Sequence, residues 1–302
     1  MAEGIGLNVL LARALLSFTR AYERVAPDAA ALPFYANCLR VVGAGEVGPK
    51  ELAPEARVSK RAAVTLLRQA RLLSPDERAE AVRVAEAALV DAEAAWPGMH
   101  PALRPALEAV VGRCRLEHPH YVMQYGTADS SAAGGKWPRH GTDWRPVLRT
   151  ASLGELPVSA LLAQALMELA IRYESDPTTW ALPSTIHGLC RYPDDGLPLD
   201  AAPTAYPLSG DGRSLFERHG AVVVVDGHAT LTPLGRRCRD AYEPTVARVE
   251  QDMRDELGPD AMRALRDALV ATAAALEPGL ADHPHLVWKG TAGFREASDD
   301  LR

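Results

Sequence analysis

The sequence predicts a mainly α protein made of two tandem copies of one helical lobe, with a small β-hairpin in the second copy. Three observations carry this. The chain has 302 residues, about two domains of ordinary size. It also says nearly the same thing twice. Leu-Glu-His-Pro-His-Tyr-Val-Met at 116–123 answers Ala-Asp-His-Pro-His-Leu-Val-Trp at 281–288, and Gly126-Thr127-Ala128 answers Gly290-Thr291-Ala292. A repeat of this length implies two copies of one domain. Alanine, leucine and arginine dominate and aromatic residues are only 6%, a balance that favours helix over strand.

Composition bounds the rest. Hydrophobic residues make up 47% and charged residues 24%, enough apolar mass for two cores. The longest apolar run, Ala221–Val225, is too short to cross a membrane, and no signal peptide is expected. Cys38, Cys114, Cys190 and Cys238 lie far apart without a CxxC, so reduced core thiols in the cytoplasm are expected. The net charge of −6 argues against polyanion binding by the whole surface, while a local basic face is still compatible with it.

The first element is an amphipathic helix. Leu7, Leu11, Ala14, Leu15, Phe18 and Tyr22 recur at helical spacing, as do Leu162, Ala165, Leu166, Leu169 and Tyr173 in the second copy. Each is a core helix, or the two pair with each other across a pseudo-twofold axis. Residues 31–42 and 181–192 form the second helices. In the first copy, residues 47–73 then carry a helix-turn-helix pattern: Val47, Leu52, Ala56, Val58, Val64 and Leu67 fall at its packing positions. Ser59 suits the N-cap of a helix over roughly 59–72. That helix shows Lys60, Arg61, Arg68 and Arg71 without an acidic residue, and Arg57 precedes it. Such a helix suits the DNA major groove, or is a solvated helix with an incidental cationic face.

The second copy keeps the complementary part. Gly220 suits a helix C-cap. Ala221–Val225, the Asp226-Gly227 turn and His228–Thr232 form a β-hairpin, a wing. Its recognition segment, 204–220, is poor: Pro207, Gly210 and Gly212 break it, and Asp211 and Glu217 offset Arg213 and Arg218. The first copy passes directly from its basic helix to Leu73-Ser74-Pro75, where the second has Leu231-Thr232-Pro233. The offset between copies grows from 149 at Ala53/Ala202 to 158 at Pro75/Pro233, the size of one deleted hairpin. Both copies close with helix pairs, 76–95 with 101–116 and 235–257 with 259–276, broken at Pro97-Gly98 and Gly258-Pro259. The lobes are thus winged-helix-like: 1–128 with its wing reduced, a linker at 129–156, and 157–295. Ser298–Arg302 is expected to fray.

This order of elements resembles the MarR-type winged-helix regulators. The resemblance rests on the N-terminal amphipathic helix, the stretch at 52–67, the hairpin flowing into LTPLGRR (231–237), and the helix pair with LGPDAMRALRDAL (257–269). It covers most of the chain in two copies, and the hairpin with LTPLGRR is its most specific part. It implies double-stranded DNA as partner, a small-molecule effector, and recognition-helix contacts from Ser59, Lys60, Arg61, Thr65 and Arg68. The family acts as homodimers. Here the duplication implies one chain serving as a pseudo-dimer. The wing tip, Asp226-Gly227-His228, lacks the family's usual arginine, so weak or asymmetric DNA binding is expected.

The His-Pro-His segments allow three readings. They close each lobe structurally, they line a ligand cavity, or they converge on a metal. The structural reading is preferred, and no metal or cofactor is assigned. A ligand site would draw on His118, His120, Tyr121, His283, His285 and Trp288. In the linker, Lys136, Trp137, Arg139, His140, Trp144 and Arg145 suit base stacking or an ordered surface loop. No GxSxG, HExxH or P-loop occurs, so catalytic residues are not assigned. Rival readings are a fold recruited to sequester a small molecule, or an enzyme using histidine in the inter-lobe cavity.

Overall fold

The computed structural model of the chain describes residues 5–27, 29, 32, 74–114, 153–176, 178–179, 183–198, 216–217 and 219–276. Residues 47–73, where the basic helix is expected, and both His-Pro-His segments lie outside the described residues, as does most of the linker. Within them the chain is mainly helical, with one small antiparallel sheet.

Helix α1 spans Leu7–Val25 and α2 spans Pro75–Ala95. Helix α3 spans Leu103–Val111, and a 3-10 turn at Leu153–Glu155 leads into α4, Val158–Ser175. Helix α5 is Pro183–Leu189. The strands are β1 (Leu197–Pro198), β2 (Val222–Val225) and β3 (His228–Leu231). Helices α6 (Pro233–Leu257) and α7 (Pro259–Ala275) close the described chain.

The two repeated helices, α1 and α4, lie against each other at the centre. The expected amphipathic stripe on each understates their burial. Only the last two residues of α1 are exposed, and Val158 to Ala170 of α4 are buried throughout. Both are core helices, and they bury polar side chains as well, Asn8, Ser17 and Thr19 on α1 and Gln164 and Glu168 on α4. The reason lies in their neighbours: α1 also packs on α2 and α7, while α4 also packs on α3, α5 and α6. The last helices, α3 and α7, pack together. Each first helix therefore touches its own half's long helix and the other half's closing helix. Phe18 and Trp96 meet edge to face at 5.4 Å, and the Trp96 indole N–H donates to Ser17 Oγ at 3.0 Å. Burying each such ring stabilises the fold by about 2–3 kcal/mol.

Local chemistry sets the helix ends. Ser74 and Glu77 form a capping box at α2, with Pro75 in the first turn. Helix α6 ends at Gly258, whose φ of +101° is open to glycine. A Cβ there would also meet the Arg113 guanidinium at 2.6 Å. Helix α3 was expected to reach residue 116. It ends at Val111 because the chain turns at Gly112–Cys114, where Arg113 reaches across to donate to the Leu257 carbonyl. In the opposite direction, Thr272 Oγ1 on α7 donates to the Gly98 carbonyl at 3.1 Å. Of the thiols expected in the core, Cys238 is buried, Cys114 is half-buried and Cys190 is exposed, and Cys38 lies outside the described residues.

Candidate functional site

The hairpin stands where the sequence puts it. Asp226 and Gly227 both have positive φ, +48° and +76°, the two-residue turn that matches strand twist. Strands β2 and β3 pair in register from Val222↔Leu231 to Val225↔His228. A third strand escaped the sequence reading: β1 pairs with β3 through Leu197↔Ala229 and Pro198↔His228. Two residues carry no period, and a proline argues against strand anyway.

The base of the hairpin is fastened to α6 by the Leu-Thr-Pro-Leu-Gly sequence. Thr232 Oγ1 accepts the Gly235 N–H at 3.1 Å as N-cap and donates to the Gly220 carbonyl at 2.6 Å. The Thr232 N–H donates to the Ala221 carbonyl at 3.0 Å. Gly235 is there because of contact: a Cβ at this position would lie 2.0 Å from Ala221 O. Arg239, one turn on, donates to the Tyr192 carbonyl at 3.1 Å and pairs with Asp194 at 2.8 Å. The wing, the loop after α5 and the first turns of α6 thus form one unit.

That unit meets α1 and α4 at a polar joint. Asn8 Nδ2 on α1 donates to Tyr242 Oη on α6 at 2.8 Å. His187 of α5 packs edge-on against Tyr242 at 5.1 Å, and Tyr173 of α4 lies 6.0 Å from the same ring. Thr179 Oγ1 donates to the Tyr173 carbonyl at 2.7 Å. Burial, with Arg191 nearby, pushes His187 down to about 4. Burial pushes the Tyr173 and Tyr242 hydroxyls up. Burial thus favours the uncharged forms of the imidazole and both phenols. The joint fixes α6 against α1 and α4.

Two further constellations escaped the sequence reading, and they match each other. Helix α1 begins at Gly6 without a side-chain cap of its own. Glu250, from α6, supplies it: Oε1 accepts the Leu7 N–H at 2.6 Å. Arg266, from α7, donates to Glu250 Oε2 at 3.1 Å and to the Ile5 carbonyl at 2.8 Å. Helix α4, begun by Pro157, is also without a side-chain cap of its own. Glu93 Oε1, from α2, accepts the Val158 N–H at 2.6 Å. Arg104, from α3, donates to Glu93 Oε2 at 2.9 Å and to the Leu156 carbonyl at 2.9 Å. Each half's first helix is capped by a carboxylate–guanidinium clasp from the other half. A carboxylate at a helix N-terminus takes an orphan N–H and faces the positive end of the helix dipole. The only sequence signal was a Glu before and an Arg after each helix break, too common a pattern to select.

All the sequence-predicted site residues lie outside the described residues: Ser59, Lys60, Arg61, Thr65 and Arg68 for DNA, and His118, His120, Tyr121, His283, His285 and Trp288 for a ligand. The described site is therefore the wing with its joint and clasps. No helix among the described residues is long and apolar enough to cross a membrane. Comparison with protein-family models, curated proteins and solved structures finds no match.

Proposed function

We propose that the chain is a DNA-binding transcriptional regulator of winged helix-turn-helix type, similar to the MarR regulators, in which two lobes of one chain stand in for two subunits. The observation that carries this reading is the hairpin clamped by Thr232 and Gly235 onto the first turn of a long helix. The tip of the hairpin, Asp226 to His228, is exposed, and β-ribbons are among the elements that enter DNA grooves. The reciprocal clasps support the pseudo-dimer: each ties one half's first helix to the other half's closing pair. The cations that this reading calls for are present in the stretch Arg57–Arg71.

Recognition is asymmetric in this reading, since the basic helix belongs to the first lobe and the wing to the second. The test is anisotropy with a duplex from upstream of the chain's own gene, titrated at several salt concentrations. Changing Lys60 and Arg61 together to Ala is expected to weaken binding and to lower the salt slope by about 2, one for each lost phosphate contact. Unchanged affinity and slope in that variant would sink the assignment.

A further inference from the structure

Helix α6 is interrupted inside its 25 residues by Pro244. Proline has no N–H, so the Asp240 carbonyl lacks its helical donor there. Sharp bends in helices gather at such prolines. The contacts of α6 divide at the same place. Ahead of the proline, Thr232 and Gly235 hold the hairpin, and Arg239 holds Tyr192 and Asp194 after α5. Behind it, the partners belong to the central helices and their ends. Thr245 Oγ1 lies 3.2 Å from Thr178 Oγ1, and Arg248 pairs with Asp176, both just past α4. Glu250 caps α1, and Glu256 pairs with Arg172 of α4 at 2.8 Å.

Tyr242, two residues ahead of the proline, joins the two groups. Its ring packs on His187 within the wing unit, and its hydroxyl accepts from Asn8 of α1. This junction is incompletely bonded. Asn8 Oδ1 and the Tyr173 hydroxyl are buried at it without a hydrogen-bond partner among the described residues. A buried polar group left unpaired penalises the arrangement that holds it. The first half's long helix is built otherwise. Aligned from Ser74-Pro75 and Thr232-Pro233, α2 has Glu86 where α6 has Pro244, and Val84 where α6 has Tyr242. Val84 is 43% exposed, so it tethers nothing of this kind.

We propose that Pro244 is a hinge and Tyr242 its latch. The wing unit, from α5 to the first turns of α6, swings as one body against α1 and α4. In the latched position the Asn8–Tyr242 bond holds it. In the unlatched position that bond is open, and the Asn8 amide and Tyr173 hydroxyl take water instead. Two positions are available because the proline lowers the cost of bending and the unpaired groups weaken the latched state. The latch thus sets the place from which the exposed tip, Asp226 to His228, meets a partner. The device is a property of the protein alone and is measured without DNA.

Pulsed electron–electron resonance on the full chain tests it. Nitroxides are carried on keto amino acids in place of Asp226, at the wing tip, and Asp252, behind the proline, both exposed. A second pair, in place of Asp226 and Arg237, lies wholly within the wing unit. The unaltered chain is expected to show one dominant distance for each pair. Tyr242→Phe removes the latch and is expected to raise a second distance in the first pair at least about fivefold, with the second pair unmoved. Should that variant lose Tm through its unpaired Asn8 amide, Asn8→Leu with Tyr242→Phe takes its place and is expected to give the same rise. Adding Pro244→Ala returns an N–H to the Asp240 carbonyl and is expected to remove the second distance. A first pair unmoved by the latch variants, a second distance that survives Pro244→Ala, or an equal change in the second pair would each overturn the proposal.

Discussion

Helices α2 and α6 start alike and then part. Each opens with a hydroxyl cap and a proline, Ser74-Pro75 and Thr232-Pro233. Three residues past the cap, the first has Glu77 and the second Gly235. Glu77 reaches back to the Ser74 N–H at 2.6 Å, and Ser74 Oγ accepts the Glu77 N–H at 3.3 Å. Gly235 reaches nothing and lets the Ala221 carbonyl approach where a side chain would stand. The same cap thus serves two ends. With Glu the helix start closes on itself and faces water, and with Gly it receives a hairpin.

The largest break in this comparison is at Gly235. Gly235→Ala forces a Cβ into the Ala221 carbonyl, so about 3 kcal/mol or more of stability is expected to be lost, read as a lower urea midpoint. Glu77→Ala, with solvent at the matching place, is expected to leave the midpoint nearly unmoved. The clasps come next. Glu250→Ala and Glu93→Ala each strand a partly buried arginine and a helix N–H, and each is expected to cost about 2–3 kcal/mol. Near-equal losses would sharpen the equivalence of the halves. A loss at one site only would break it.

A smaller effect reads the second lobe through pH. His187 titrates well below its unfolded value of about 6.5. Stability is whole above that value and declines as pH falls toward about 4, because the unfolded chain takes the proton first. With screening at a partly open site, about 1–2 kcal/mol is expected over that span. His187→Gln should flatten this part of the urea-midpoint profile, and an unchanged profile would contradict the burial of the ring. The smallest effect is at the other cap: Ser74→Ala is expected to cost about 1 kcal/mol in the same melts.

How much of this was legible in the sequence depends on range. Caps, breaks and the hairpin are local, and they stand where 231–237, Asp226-Gly227 and Gly258-Pro259 put them. The pairing of α1 with α4 was legible as an option, because the two sequences match. Their burial on every side was not, because periodicity reports one face and cannot count neighbours. The clasps were the least legible: Leu7 and Glu250 are 243 residues apart, Val158 and Glu93 are 65 apart. No local pattern joins such residues.

The central claim is that one chain does the work of a dimer on DNA. Sedimentation equilibrium of the intact 32.5 kDa chain, alone and with a duplex from upstream of its gene, tests it most directly. The account predicts a single chain in free solution and one chain per duplex, with the complex lost when Lys60 and Arg61 are both Ala. Two chains per duplex, or no complex at low salt, would contradict it.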